Sequence, residues 1–146
     1  MLIELLDKRK KEIFILFLLI LFFYRSPFIF LNGRFMAEEG EIFFANAYRY
    51  NFFYSLFFVD FVSGYLNFWA NISGIISNFF DLEVAPLISN YLSLLPKILI
   101  IYFVLYSNFL ITKDSWQKII FCLIVFICPQ NVSEIWMNSI NSQIFF

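Results

Sequence analysis

The chain has 146 residues, of which 62% are hydrophobic and 14% charged, with 23 phenylalanines and no histidine. Soluble domains are roughly 45–50% apolar, so this composition excludes an ordinary soluble domain and indicates a protein of the lipid bilayer. The formal net charge is −1 and no basic stripe is interleaved with aromatic residues, which excludes nucleic acid as an expected partner. Cys122 and Cys128 lie in an apolar run without histidine, so they are interpreted as buried hydrophobes rather than zinc ligands.

The first hydrophobic segment, residues 13–31, follows a basic leader, residues 1–12. Its length matches the ~20 residues that cross a bilayer as a helix, so it is predicted to be the first span. A secretory signal peptide is the competing interpretation, because a basic leader also precedes the apolar part of such peptides. The retained anchor is favoured, since Tyr24 and Pro27 stand where a cleavage site needs small residues.

A long connection, residues 32–84, follows this span and is predicted to be an outer loop of amphipathic helices in the headgroup region. A soluble loop of this kind would leave its many phenylalanines without a core to fill. If residues 38–49 form a helix, a step of about 100° per residue predicts one polar arc that faces water. The arc comprises Glu38, Glu39, Glu41, Asn46 and Arg49, with Phe43, Phe44 and Ala47 opposite.

The second span is predicted at residues 85–111, where Pro86 suits a first helical turn. A cytoplasmic turn at 112–115, a third span at 116–130, an outer loop at 131–138 and the start of a fourth span at 139–146 complete the chain. The expected fold is all-α and integral to the membrane, with three to four transmembrane helices. Placing the N-terminus in the cytoplasm keeps most of the basic residues inside, as the positive-inside rule requires, and predicts a multi-pass protein of the cytoplasmic membrane.

Adjacent acids beside a hydrophobic segment form the candidate site. A carboxylate persists beside hydrocarbon where water, a cation or a substrate receives it, so Glu38 and Glu39 are candidates for chemistry. The alternative is a solvated helix start, where acids favour the positive end of the dipole. Lys97 lies within the second predicted span, which makes it a functional candidate, or an interfacial anchor if the helix enters the bilayer only there.

Two segments carry a resemblance to a known family. Residues 35–47 read Phe-Met-Ala-Glu-Glu-Gly-Glu-Ile-Phe-Phe-Ala-Asn-Ala, and residues 129–143 contain a proline, Glu134 and Asn138. With the order of basic leader and spans, these segments resemble the first and second outer loops of bacterial multi-spanning glycosyltransferases of the GT-C type. Glu39 stands where that family has aspartate, and residues 68–71 stand where relatives commonly have a Pro-Arg pair.

The resemblance implies transfer of a sugar from a polyprenyl-phosphate donor to an acceptor, not specified, on the outer face of the membrane. Glu39 and Glu38 would be the catalytic acids, either as general base or as ligands of a divalent cation such as Mg²⁺ or Mn²⁺. The substrate-binding candidates are Arg34, Arg49, Lys97, Glu134 and Asn138.

Three to four spans are few for such an enzyme, which leaves several interpretations open. The chain is expected to be the N-terminal fragment of a longer transferase, a half that needs a second polypeptide to complete the helix bundle, or an inactive remnant. The alternative function is a small non-catalytic multi-pass membrane protein that associates with other membrane helices through its aromatic faces.

Overall fold

The computed structural model describes residues 2–25, 27–36, 38–61, 64, 66–107, 115–127 and 138–142. Within these ranges every regular element is a helix, so the all-α prediction is confirmed for the described residues. The chain divides into two compact units. The bundle unit comprises Met1–Ser26 and Ile98–Pro129, and the loop unit comprises Pro27–Lys97 and Gln130–Phe146.

The bundle unit contains α1 (Leu2–Arg25), the C-terminal part of α6 (Ala85–Tyr106) and α7 (Ser115–Ile127). Its buried hydrophobic side chains are Leu18, Phe22, Ile101, Val104, Leu105 and Cys122. Other large apolar side chains on the same helices are exposed, among them Leu16, Ile20 and Phe103. Apolar groups therefore occupy both the interior and much of the surface of this unit.

One helix in the described part of the chain is long and apolar enough to cross a membrane. It is α6, with 22 residues and a mean hydropathy of 1.7 in its most apolar stretch. The 24-residue α1 carries its basic cluster within the helix, and α2 covers Pro27–Asn32. Helix α7 has 13 residues, short of the ~20 that a span needs. The second predicted span is therefore a continuous helix from Ala85, whereas three to four spans remain a prediction.

The loop unit is built around α5 (Phe68–Ser77), which contacts the π-helix Glu39–Phe44, α3 (Ala45–Arg49), α4 (Phe52–Leu56) and α8 (Ser139–Ser142). Asn51 and Asn67 cap the N-termini of α4 and α5, because each side-chain oxygen accepts a hydrogen bond from the backbone N–H of the third residue of its helix. Gly74 permits the close approach of α5 to the π-helix, since a Cβ there would lie 2.8 Å from the carbonyl oxygen of Phe43.

The loop unit has an interior of its own, which differs from the expectation of separate helices on a headgroup layer. Phe43, Phe44, Ala70 and Ile75 are buried. The remaining phenylalanines of the connection are largely exposed, among them Phe52, Phe53, Phe57, Phe61, Phe68, Phe79 and Phe80. The segment thus combines a small core with an apolar surface. Some of its side chains are buried where the short helices pack on α5, and most of its phenylalanine rings are exposed.

The start of α6 is joined to the chain that follows α2. Gly33 has φ +56°, and a Cβ at this position would lie 2.5 Å from the backbone N and Cα of Leu87. The Asn90 side chain accepts a hydrogen bond from the Arg34 N–H at 2.9 Å and donates to the Arg34 carbonyl at 3.0 Å. The Tyr91 hydroxyl donates to the Phe30 carbonyl at 2.8 Å. These contacts hold the segment between α2 and the π-helix against the start of α6.

Candidate functional site

The interior of the loop unit is unusually polar for so apolar a chain. Buried polar groups need hydrogen-bond partners, because an unpaired one costs free energy comparable to its lost hydration. Their geometry is therefore fixed by directional contacts. The buried polar side chains of this unit include Glu39, Asn67, Asn71, Ser73, Ser77, Ser89, Asn90, Ser93, Lys97, Asn138 and Ser139.

Glu39 lies at the centre of this polar interior and is only 2% exposed. The Met36 N–H donates to one carboxylate oxygen at 2.9 Å, and the Ser139 N–H donates to the other. The Ser139 and Ser89 side chains also favour the charged form of the carboxyl group. A single carboxylate thus joins the start of the π-helix to the beginning of α8.

Burial raises the pKa of Glu39 above its ordinary value, because the ionised form loses its hydration. The polar groups of Ser139, Met36 and Ser89 oppose this effect by stabilising the charged form, and they do not cancel it. Glu39 therefore holds a proton more readily than an exposed glutamate. Buried carboxyl groups with a raised pKa are candidates for proton transfer.

Lys97 is the cationic member of the site. It is 6% exposed and lies on the face of α6 that also carries Ser89 and Ser93, at spacings of four residues. The negative charge of Glu39 attracts the Lys97 ammonium. The Ser89 hydroxyl is 2.9 Å from the Ser73 hydroxyl of α5. Polar groups therefore continue from α5 across α6 to the buried acid.

Residues 138–140 contact the loop unit at this site, although residues 139 and 140 were predicted to begin a fourth span. Asn138 is 3% exposed, and its side-chain oxygen accepts a hydrogen bond from the Ile140 N–H at 2.7 Å. The Asn67 side chain, at the start of α5, donates to the Ile140 carbonyl at 2.9 Å. Together with the contact of Ser139 to Glu39, these bonds bring Asn138 into the same buried cluster. Glu134 lies outside the described residues.

The two adjacent acids occupy different environments. Glu38 is half-buried and Glu41 is exposed, whereas Glu39 is buried. Arg34 and Arg49 are also exposed, so neither side chain is enclosed in the cluster. Among the described residues, no group of three or more His, Cys, Asp or Glu side chains is positioned to hold a metal ion.

The predicted polar arc is wrong for Glu39 and Asn46, both of which are buried on the same segment as Phe43 and Ala47. The physical reason is local. Residues 39–44 form a π-helix, whose i→i+5 hydrogen bonds turn the chain by less than an α-helix does at each residue. The close contact with Gly74 then encloses the segment, so the acids do not face water together.

The sequence identifies Glu39, Lys97 and Asn138 as candidates but does not identify the buried hydroxyl pair of Ser73 and Ser89. A signal for part of this set exists in the sequence. Ser89, Ser93 and Lys97 recur every four residues in an otherwise apolar helix, which indicates one polar face turned away from lipid. Ser73 and Ser139 are part of no such pattern. Ser73 contacts Ser89, and Ser139 contacts Glu39, only because the tertiary fold brings them together.

No family model, curated protein or solved structure matches this chain. The chemical interpretation of the site rests on the buried Glu39, the Lys97 charge and the contact from α8.

Proposed function

We propose that this chain is part of a membrane glycosyltransferase that takes sugar from a polyprenyl-phosphate donor, with Glu39 as its catalytic carboxylate. The observation that carries the proposal is the meeting of Glu39 with Ser139, which unites the two segments that resemble the outer loops of that family. Further support comes from Lys97, a buried cation attracted by the Glu39 charge. A paired acid and cation suit a reaction that moves a proton and releases a phosphate.

In the proposed reaction the acceptor hydroxyl transfers its proton to the Glu39 carboxylate. The acceptor oxygen then bonds to the anomeric carbon, and the bond between that carbon and the donor phosphate oxygen breaks. Polyprenyl phosphate leaves with the electron pair, and Lys97 stabilises its negative charge. Since Glu39 is enclosed by Ser139, the acceptor approaches when the segment 138–142 moves away from the carboxylate.

A divalent cation is the second proposed role for the acids. Mg²⁺ is commonly held by one or two carboxylates together with substrate phosphates, so a complete cage of protein ligands is unnecessary. Glu39 and the neighbouring Glu38 would supply the carboxylates, and the donor would supply the phosphate oxygens. Mg²⁺ or Mn²⁺ would then neutralise charge on the leaving group.

The decisive experiment measures transfer by membrane vesicles that contain the full chain and a panel of polyprenyl-phosphate-linked radioactive sugars. Glu39→Gln keeps the size of the side chain but removes its basicity, so we expect transfer to fall by about 100-fold or more. Glu41→Gln is the matched control, because Glu41 is exposed on the same π-helix. Its transfer rate should stay within about twofold, as for surface substitutions.

Two outcomes would contradict the proposal. One is a wild-type chain that releases polyprenyl phosphate from no donor of the panel. The other is full transfer by Glu39→Gln at equal protein abundance, with circular dichroism verifying that the helices are retained. The cation is tested separately by EDTA, which should abolish transfer until Mg²⁺ or Mn²⁺ is restored; unchanged transfer would leave Glu39 as the base and exclude the cation.

The proposal includes a multi-pass arrangement in the cytoplasmic membrane, with the N-terminus in the cytoplasm. It is supported by α6, whose length and hydropathy suit a span. Single cysteines at Lys10 and Arg34 test it with a maleimide that does not cross membranes, in a background without Cys122 and Cys128. We expect labelling of intact cells at position 34 only. Labelling at position 10 in intact cells would show that the N-terminus lies outside the cell, opposite to the proposed orientation.

A non-catalytic membrane subunit is the second candidate function. It is favoured by the complete engagement of the Glu39 carboxylate, which suits a structural tie, and by exposed apolar side chains such as Leu99, Tyr102 and Phe103 on α6. This candidate predicts that Glu39→Gln lowers the unfolding free energy without changing any transfer rate. The same vesicle assay and an unfolding titration distinguish the two functions.

A further inference from the structure

A groove of about 530 Å³ lies within the bundle unit, lined by α1, the C-terminal part of α6 and α7. Its walls are mostly apolar and include Phe14, Phe17, Leu105 and Ile119. Trp116, which is 72% exposed, also lines it. Sites for small molecules typically measure roughly 300–1,000 Å³, so the groove has room for a headgroup and part of a hydrocarbon chain.

Three lysines line the same groove. Lys118 is 8% exposed and donates a hydrogen bond to the Ser107 carbonyl, but an ammonium group has three hydrogens to donate. The Lys11 ammonium lies 5.3 Å from the centre of the Tyr106 ring, a cation–π contact. Lys10 is exposed, and no acidic side chain of the described residues lines the groove. The groove therefore combines concentrated positive charge with apolar walls.

We propose that this groove binds one anionic phospholipid, with its phosphate against Lys10, Lys11 and Lys118 and an acyl chain along Phe14, Phe17 and Leu105. Charge complementarity selects the headgroup, since basic pockets between membrane helices attract anionic lipids. The apolar walls select a ligand with a hydrocarbon chain, because water leaves both surfaces on binding. A free phosphate uses only the lysines and leaves these walls in water.

This inference does not depend on the proposed sugar transfer, since none of its residues belongs to the Glu39 cluster. It concerns a lipid that stays bound to the protein rather than a donor that is consumed. Orientation with the N-terminus in the cytoplasm would turn the lysines toward the leaflet that carries the anionic lipids.

The test uses the full chain in a neutral detergent and titrates phosphatidylglycerol with brominated acyl chains, which quench nearby tryptophan. Quenching of Trp116 should saturate, and Trp116→Phe should remove that component while the other two tryptophans, Trp69 and Trp136, continue to fluoresce. The double variant Lys10→Gln, Lys11→Gln should weaken binding by about 20-fold, and Lys10→Gln alone by about fivefold. Lys118 is left intact because it is buried.

Arg9→Gln is the matched control, since it removes one exposed charge from α1 at a position that does not line the groove. It should bind phosphatidylglycerol as the wild type does, and brominated phosphatidylcholine should bind at least tenfold more weakly to the wild type. Equal affinity for both lipids, or an equal loss in Arg9→Gln and Lys10→Gln, would overturn the proposal. Displacement of the lipid by millimolar inorganic phosphate or by an acidic peptide would overturn it as well.

Discussion

The two units of this protein bury different kinds of side chain. The bundle unit buries hydrocarbon, with Leu18, Phe22 and Leu105 in its interior. The loop unit buries a carboxylate, an ammonium group, hydroxyls and amides around α5. Apolar packing tolerates small rearrangements, whereas a hydrogen-bonded interior requires each partner at its own distance and angle. The difference indicates that the loop unit is the one whose polar side chains are held at defined distances and angles.

The comparison also separates two uses of buried charge. Glu39 accepts hydrogen bonds from the backbone of Met36 and of Ser139, so its removal would leave both donors without a partner. Lys118 of the bundle unit is buried beside a carbonyl and lines an open groove, so its ammonium can also meet a ligand. The first arrangement holds the protein's own chain together, and the second leaves room for a bound molecule.

The largest expected effect is that of Glu39→Ala. It leaves the N–H groups of Met36 and Ser139 buried without their acceptor and removes the negative charge that attracts Lys97, so we expect a loss of about 3–5 kcal/mol in unfolding free energy. Denaturant titration in detergent micelles, followed by circular dichroism, measures it. Glu41→Ala is the control and should change the value by less than about 0.5 kcal/mol. Equal effects at the two positions would show that the polar cluster does not stabilise the loop unit.

Leu18→Ala tests the bundle unit by the same titration. Leu18 is 1% exposed, so we expect a loss of about 3 kcal/mol from lost burial and the cavity left behind. Leu16→Ala is the control, because Leu16 is 58% exposed on the same helix. In a detergent micelle it should cost much less. A similar cost at both positions would mean that the micelle and not the protein interior stabilises this helix.

Gly33→Ala and Gly64→Ala form a matched pair, since both glycines have positive φ. A Cβ at Gly33 would overlap the backbone of Leu87, whereas a Cβ at Gly64 meets nothing within 4 Å. We expect a loss of about 2–3 kcal/mol at Gly33 from strain and overlap, against about 1 kcal/mol at Gly64 from strain alone. Thermal unfolding compares them. Equal losses would contradict the close approach of Gly33 to α6.

The pH dependence of the unfolding free energy should distinguish the loop unit from the bundle unit. The pKa of Glu39 is higher in the folded protein than in the unfolded chain, where water surrounds it. Its contribution to stability is therefore fully present below the unfolded pKa and is lost as pH rises through the folded pKa. We expect the unfolding free energy of the loop unit to fall over that range and Glu39→Gln to remove the slope. A slope that persists in Glu39→Gln would assign it to another group.

The smallest expected effect compares two buried serines of α5. The Ser73 hydroxyl is bonded to Ser89, whereas the Ser77 hydroxyl has no hydrogen-bond partner among the described residues. Ser73→Ala should cost about 1 kcal/mol, and Ser77→Ala should be neutral or slightly stabilising because it removes an unsatisfied polar group. Melting temperatures of the two variants decide this. A greater loss at Ser77 would indicate a partner for its hydroxyl.

Part of this site could be predicted from the sequence. A carboxylate beside an apolar segment and a lysine within one are conspicuous, because both are costly to place near hydrocarbon. Glu39 and Lys97 were therefore identified from charge and position alone. Their environment was not, since the prediction turned Glu39 toward water and the structure encloses it. The error arose from assuming an α-helical turn where the chain forms a π-helix against Gly74.

The all-helical fold and the continuous helix from Ala85 followed from the sequence, because long apolar runs, helix-starting residues and charge distribution act locally. Only the tertiary structure brought Ser139 to Glu39, since a contact across 100 positions of the chain leaves no trace in local periodicity. The same holds for the hydroxyl pair of Ser73 and Ser89. Local composition determined which segments are helices. The packing of those helices determined which buried polar groups form hydrogen bonds with one another.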